Sequence, residues 1–320
     1  MKGLTDIPGI RVGQVSDYKS LTGCTVILCE GGAVAGVDVR GSATGTEEFD
    51  VLNPMHVTDR IHGLVFAGGS AFGLETASGV RRYLERKGVG FKFGNHVIPI
   101  VPAAILFDLG LGEQQRHPSR EMGEAAAAAA TDAAVEEGSV GAGTGATVGK
   151  LRGMKHAMKG GMGSYTVTLP GGVMVSALVA VNALGDVRDP ANRAIVAGAR
   201  VTAEGREFAD SEKLMLSGSA AVGGPSNTTL AVVATNAKLT KLGATKLAQF
   251  AGLGMARTIS PVNTSADGDL VVALSVGGLV AQGDALGVAA ANALSEAILR
   301  AVRKARSLGG VPGLLQVQGL

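Results

Sequence analysis

Ser226-Asn227-Thr228-Thr229-Leu230-Ala231-Val232-Val233-Ala234-Thr235-Asn236 is a polar junction that turns directly into an apolar run rich in branched residues. Residues 230–234 are long enough for one buried strand. Residues 217–225, just ahead of it, hold three glycines and a proline, which predicts a flexible loop. A strand that begins here holds the Thr228 side chain and leaves the Asn227–Thr228 peptide bond accessible at its mouth. Such a bond can be cut, and a threonine freed by the cut can act as a nucleophile. Taken alone, the same pattern also fits a strand that starts on a β-branched residue.

Working outward, the chain has 320 residues, 46% of them hydrophobic, with 49 glycines, no Trp and 3% aromatic residues. That supports a sizeable aliphatic core with many tight turns, and we expect a single domain over 1–320. The formal net charge of +2 calls for neither nucleic acid nor an anionic membrane as partner. Cys24 and Cys29 do not make a disulfide framework in a chain this long. The first residues lack the apolar core of a signal peptide, and no uninterrupted apolar run reaches the roughly 18 residues of a membrane helix. A cytoplasmic location is the expectation.

Residues 4–14 read as a strand–turn entry. Residues 24–29 form a buried strand ended by Glu30-Gly31-Gly32, with 33–39 as its expected hairpin partner. A strand over 63–67 leads through Gly68-Gly69-Ser70 into a helix over 71–87. Two prolines suit 97–106 to an irregular or edge segment. Ser119 as N-cap, early acids and Gly138 predict a helix over 119–137. Residues 158–163 read as a glycine-dense turn, and 165–169 with 173–181 as strands paired across Pro170-Gly171-Gly172. Helices are expected over 240–256 and 285–307, and a strand over 269–276. Irregular alternation with glycine turns favours stacked sheets covered by helices, an α/β (α+β) chain.

Gly141-Ala142-Gly143-Thr144-Gly145-Ala146-Thr147-Val148-Gly149-Lys150 invites a phosphate-loop reading. A Walker loop needs glycine where Thr144 stands and Ser or Thr where Leu151 stands. The remaining readings are a tight turn with a solvated lysine, or a backbone-rich pocket wall with Lys150 directed inward. The five histidines show no metal-ligand spacing, and no G-x-S-x-G elbow supports a serine triad. Asn263-Thr264-Ser265-Ala266-Asp267-Gly268-Asp269 precedes a strand. It is either a polar turn or a carboxylate pair at a strand mouth, able to orient a hydroxyl or hold an ammonium group.

These segments, in this order, resemble the self-cleaving aminopeptidase family that includes L-aminopeptidase/D-esterases, β-peptidyl aminopeptidases and nylon-oligomer hydrolases. The resemblance is carried by residues 4–13, Gly23-Cys24-Thr25-Val26, residues 67–74, Gly143 to Lys150, Met158-Lys159-Gly160-Gly161, Asn227-Thr228-Thr229 and Asp267-Gly268-Asp269. It extends over nearly the whole chain. It implies an αββα sandwich of the N-terminal-nucleophile type, with no metal or organic cofactor. It also implies self-cleavage between Asn227 and Thr228 into chains 1–227 and 228–320, and oligomers, often tetramers, of those αβ units. By position Thr228 matches the nucleophile and Asn182 an oxyanion-stabilising asparagine. Asp267 and Asp269 match residues that orient the nucleophile, and Lys150 matches a pocket lysine of the nylon-oligomer branch. Some members carry tyrosine or histidine near Thr147, Val148 and Lys150, so substrate preference does not carry over.

The implied chemistry is acyl transfer to a threonine hydroxyl. In the precursor, Thr228 attacks the Asn227 carbonyl and water resolves the ester. The freed α-amine, with an ordinary pKa of about 7.7–8.0, then serves as general base. The substrate is a small peptide or amide. Glutamate N-acetyltransferases share self-cleavage before threonine, but their motifs around the cut differ from Ser226-Asn227-Thr228-Thr229. An uncut, non-catalytic oligomeric binding protein is the other alternative.

Overall fold

The computed structural model describes residues 1–113, 115–218 and 227–315. Most of the loop predicted just ahead of Thr228 lies outside them, at 219–226. Among the described residues the principal sheet has nine strands. In chain order they are β1 (Arg11–Asp17), β2 (Thr22–Val39), β3 (Gly45–Glu47), β4 (Ile61–Ala67), β5 (Ala103–Ile105), β6 (Gly161–Thr168), β7 (Met174–Asn182), β8 (Thr228–Ala237) and β9 (Leu270–Leu279). The helices that cover it are α1 (Glu75–Arg86), α2 (Arg120–Ala128), α3 (Lys241–Thr258) and α4 (Gly283–Arg303).

The strand order is β6-β7-β8-β9-β2-β4-β5-β3, with β1 against β2. The sheet turns back on itself at β2. The first half of β2 pairs with β1 and β4, and its second half pairs with β9. Period-two alternation then sorts the side chains into layers. Ile27, Leu64 and Phe66 from one half share a buried cluster with Leu230, Val232, Leu270 and Leu274 from the other. On the outer face of β8 and β9, Ala231, Val233, Val271 and Ala273 pack with Leu247, Ala251, Leu294 and Ile298 of α3 and α4. On the outer face of β2 and β4, Val26, Leu28 and Val65 pack with Val80, Leu84 and Ala127 of α1 and α2. The result is the expected αββα stack. Helix α4 is long and apolar enough to cross a membrane, yet 72% of that stretch is buried against the sheet, which accounts for its apolarity.

Several local expectations are corrected. Residues 24–39 are one strand rather than a hairpin. Between the pairs Leu28–Gly63 and Ala33–Ile61, five steps of β2 oppose two of β4. The bulge includes Gly32 at φ 81°, a left-handed position suited to glycine. The helix expected over 119–137 ends at Ala128. Ser119 does cap it, accepting from the Met122 N–H at 3.4 Å. Beyond it, Thr131 exchanges both backbone hydrogen bonds with Val12, and the Val135 N–H donates to the Lys2 carbonyl. Pairing with the N-terminal segment therefore outweighs alanine's helix propensity. Residues 103–105, expected in an irregular or edge segment, are buried as a strand between β4 and β3. The glycine-dense 158–163 segment is extended instead of forming a turn: Met158 and Lys159 pair with Val148 and Thr147, and residues 161–163 open β6.

Candidate active site

The mouth of β8 collects the residues singled out above. Thr228 begins β8 and stands opposite Asn182, the last residue of β7. Asn227 forms a parallel bridge with Asp267, just before β9. The β7–β8–β9 neighbourhood therefore brings Asn182, Thr228 and the Asp267–Asp269 segment together from positions far apart in the chain. Thr228 is 3% exposed. Its Oγ1 donates to the carbonyl oxygen of Asn227 at 2.5 Å, which places the hydroxyl against the bond expected to be cut. The same carbonyl oxygen accepts from the Gly268 N–H at 2.8 Å.

Both carboxylates are held by donors. Asp267 Oδ2 accepts from the Thr264 hydroxyl at 2.5 Å and its N–H at 3.1 Å, while Oδ1 accepts from the Leu184 N–H at 3.2 Å. Asp269 Oδ1 accepts from the Thr229 N–H at 2.6 Å and Oδ2 from the Asn263 N–H at 2.9 Å. Burial, reinforced by the neighbouring Asp267, pushes Asp269 up to about 7. Lys150 donates from Nζ to both the backbone and side-chain oxygens of Asn182, each at 2.9 Å. Burial draws its ammonium down to about 7, against the opposing pull of Asp267 and Asp269. The Asn182 amide oxygen also accepts from the Thr147 N–H at 3.0 Å, and Nδ2 donates to the Phe107 carbonyl at 2.9 Å. One N–H of that amide is thereby committed.

The glycine-rich loop is a pocket wall. Gly145, Thr147 and Lys150 line a cavity of about 80 Å³ together with Phe107, Asp108 and Met154. Asp108 and the nearby Lys159 carried no assigned role in the sequence. Asp108 Oδ2 accepts from the Thr22 hydroxyl and Oδ1 from the Gly69 N–H, both at 2.7 Å. Burial pushes this acid up to about 6. Lys159 donates to the Thr144 carbonyl at 2.8 Å, and burial draws it down to about 7 against the attraction of Asp108. The available signal for Asp108 was a carboxylate directly after an apolar segment, the reverse of Asp269, which directly precedes one. For Lys159 it was a lysine next to two glycines. Among the described residues no group of three or more His, Cys, Asp or Glu is placed to hold a metal ion.

A family model described as Peptidase family S58 matches residues 2–315. The chain is 37% identical over 344 aligned positions to a protein of Mycobacterium tuberculosis (strain ATCC 25618 / H37Rv) named as an uncharacterized aminopeptidase, covering 98% of this chain and 96% of the relative. It is 27% identical to a 6-aminohexanoate-oligomer endohydrolase of Kocuria sp. (strain KY2), over 93% and 85% of the two chains. The structure of the L-aminopeptidase D-Ala-esterase/amidase from Ochrobactrum anthropi, described as a variant of the Ntn hydrolase fold, superposes with a TM-score of 0.69. That comparison spans 97% of this chain and 88% of the other at 18% identity, and speaks to the fold.

Proposed function

From the premise that this chain belongs to peptidase family S58, we propose that it is a self-processing amide hydrolase whose nucleophile is Thr228. The observation that carries the reading is the Thr228 hydroxyl lying 2.5 Å from the carbonyl oxygen of Asn227 at the mouth of a buried strand. In the uncut chain this geometry suits attack on the preceding peptide bond. Cleavage turns Thr228 into a chain terminus with an α-amine. That amine, ordinarily titrating at about 7.7–8.0, takes the hydroxyl proton when an external amide is attacked. Asp267 and Asp269, fixed by Thr264, Leu184, Asn263 and Thr229, orient the amine and hydroxyl.

Asn182 stands across the ladder from Thr228 and supplies its second N–H to the developing oxyanion, a contribution of about 2.7–4 kcal/mol in comparable sites. Lys150 links that amide to the cavity and, when protonated, lowers the proton affinity of the nearby amine. The substrate is an amide or peptide small enough to enter beside Phe107 and Met154. The Asp108 carboxylate on the cavity wall suits a substrate carrying a free amine.

The test is a denaturing gel with an amide-hydrolysis assay. Wild type is expected to give two bands, of about two-thirds and one-third of the mass from the position of Thr228 in the chain. Thr228→Ala is expected to give one band and no amine release from amino-acid amides. A wild-type chain that stays intact on prolonged incubation disproves self-processing. Acetyl transfer to glutamate in place of amine release would move the chain to the transferases.

A further inference from the structure

We infer that the backbone N–H of Gly268 is the oxyanion donor for cleavage of the Asn227–Thr228 bond, and that position 268 is glycine because a side chain there would displace the nucleophile. The inference rests on the self-processing reading and adds to it the group that activates the bond. Two independent features of the geometry carry it. The Gly268 N–H points at the carbonyl oxygen of Asn227 from 2.8 Å, the oxygen that becomes negative when Thr228 attacks. A Cβ placed on Gly268 would lie 2.8 Å from Thr228 Oγ1 and 2.7 Å from the carbonyl oxygen of Ala43. Both are closer than real Cβ atoms approach their neighbours.

The donor is rigidly aimed. On one side the Asp267 side chain is tied to Leu184 and Thr264; on the other the Asp269 side chain is tied to Thr229 and Asn263. Their carbonyls are tied as well. The Ala43 N–H donates to the Asp267 carbonyl at 2.9 Å, and the Gly41 N–H to that of Asp269 at 3.0 Å. The peptide between two immobilised aspartates therefore presents its N–H without reorganisation, which is what oxyanion stabilisation requires. This donor is distinct from Asn182, whose oxygen and one N–H are already engaged by Thr147, Lys150 and Phe107.

The step balances within the chain. A bond forms between Thr228 Oγ1 and the Asn227 carbonyl carbon, and the carbonyl π pair moves onto the oxygen facing Gly268. Collapse breaks the C–N bond, and the Thr228 nitrogen gains the proton that left Oγ1. The product is an ester. Water adds to it, releasing the Asn227 carboxylate and returning the Thr228 hydroxyl.

Ribosomal incorporation of glycolic acid at position 268 replaces the 267–268 amide by an ester. It removes the N–H and adds no side chain. Self-cleavage is expected to slow by about 10²–10³-fold, the usual effect of deleting one oxyanion donor, with the thermal melting transition retained. Hydroxylamine, which traps the ester as an Asn227 hydroxamate, should then trap correspondingly less per unit time. Gly268→Ala, which keeps the N–H but crowds Oγ1, should also slow cleavage. Adding Thr228→Ser to it should restore part of the rate, because serine lacks the methyl group that fixes the hydroxyl. Cleavage of the glycolate chain or of Gly268→Ala at the wild-type rate overturns the inference. If the wild type itself never cuts, the self-processing reading falls and this one with it. If the wild type cuts and the glycolate chain cuts as fast, only the role of Gly268 is lost.

Discussion

Lys159 is an ammonium group 1% exposed whose Nζ is bound to the Thr144 carbonyl. Burial draws it to about 7 from the ordinary 10.5, so between those two values the unfolded chain holds a proton that the folded chain does not. Stability therefore rises with pH across that window, and the cost of burying Lys159 is fully present below about 7. Lys159→Met should flatten the slope of unfolding free energy between pH 8 and 10 by up to about one proton, or about 1.4 kcal/mol per pH unit. Urea unfolding across that range checks it; an unchanged slope would show that Lys159 is solvated. At Asp267, the Thr264 hydroxyl supplies a 2.5 Å hydrogen bond to Oδ2. Thr264→Val removes it and should destabilise the protein by about 1.5–3 kcal/mol, the range for bonds to charged groups, read from the urea midpoint at pH 8. Thr228 and the two aspartates stood out in the sequence because each lies just ahead of an apolar strand, and Asn182 was marked only by its position in the family resemblance. Asp108 was not, because its importance comes from Thr22, Gly69 and Lys150, none of them near it in the chain.

At the level of elements, the strongly patterned pieces came out near their expected places. The hairpin of β6 and β7 follows the Pro170-Gly171-Gly172 turn, and α3 begins just after Thr240. Thr240 caps α3 by accepting from the Gly243 N–H at 3.1 Å. Thr240→Ala should cost about 1 kcal/mol, measured by chemical denaturation. The misread elements share one cause. Residues 129–137 have helical composition but leave α2 to pair with the first strand and the N-terminus. Glu30-Gly31-Gly32 looks like a turn, yet the chain runs on through it to join two sheet halves. In both places the partner that decides the conformation lies far along the sequence.

For the molecule as a whole, a cut at Asn227–Thr228 would separate two chains that remain interleaved. β8 pairs with β7 of the first piece over eight residue pairs, and β9 pairs with β2 over six. α3 and α4 also close one outer face of the sheet. The two pieces should therefore co-elute in gel filtration under native conditions and separate only in denaturant. Free elution of a 228–320 fragment in buffer would contradict this architecture.

The sequence alone determined the class of fold, stacked sheets covered by helices, and marked the strand mouths as polar. The continuous apolar run of β8 is a local pattern that the geometry of a buried strand is enough to read, whereas the glycine-rich loop and the Asp267-Gly268-Asp269 turn each left a plain turn as an alternative. Only the tertiary structure decided that β2 passes through both halves, that Asp108 and Lys159 are buried beside the pocket, and that the Gly268 N–H faces the Asn227 carbonyl. Each of these depends on contacts between residues far apart in the chain. The Gly268 donor is besides a backbone group, which every residue but proline carries and which no residue type can signal.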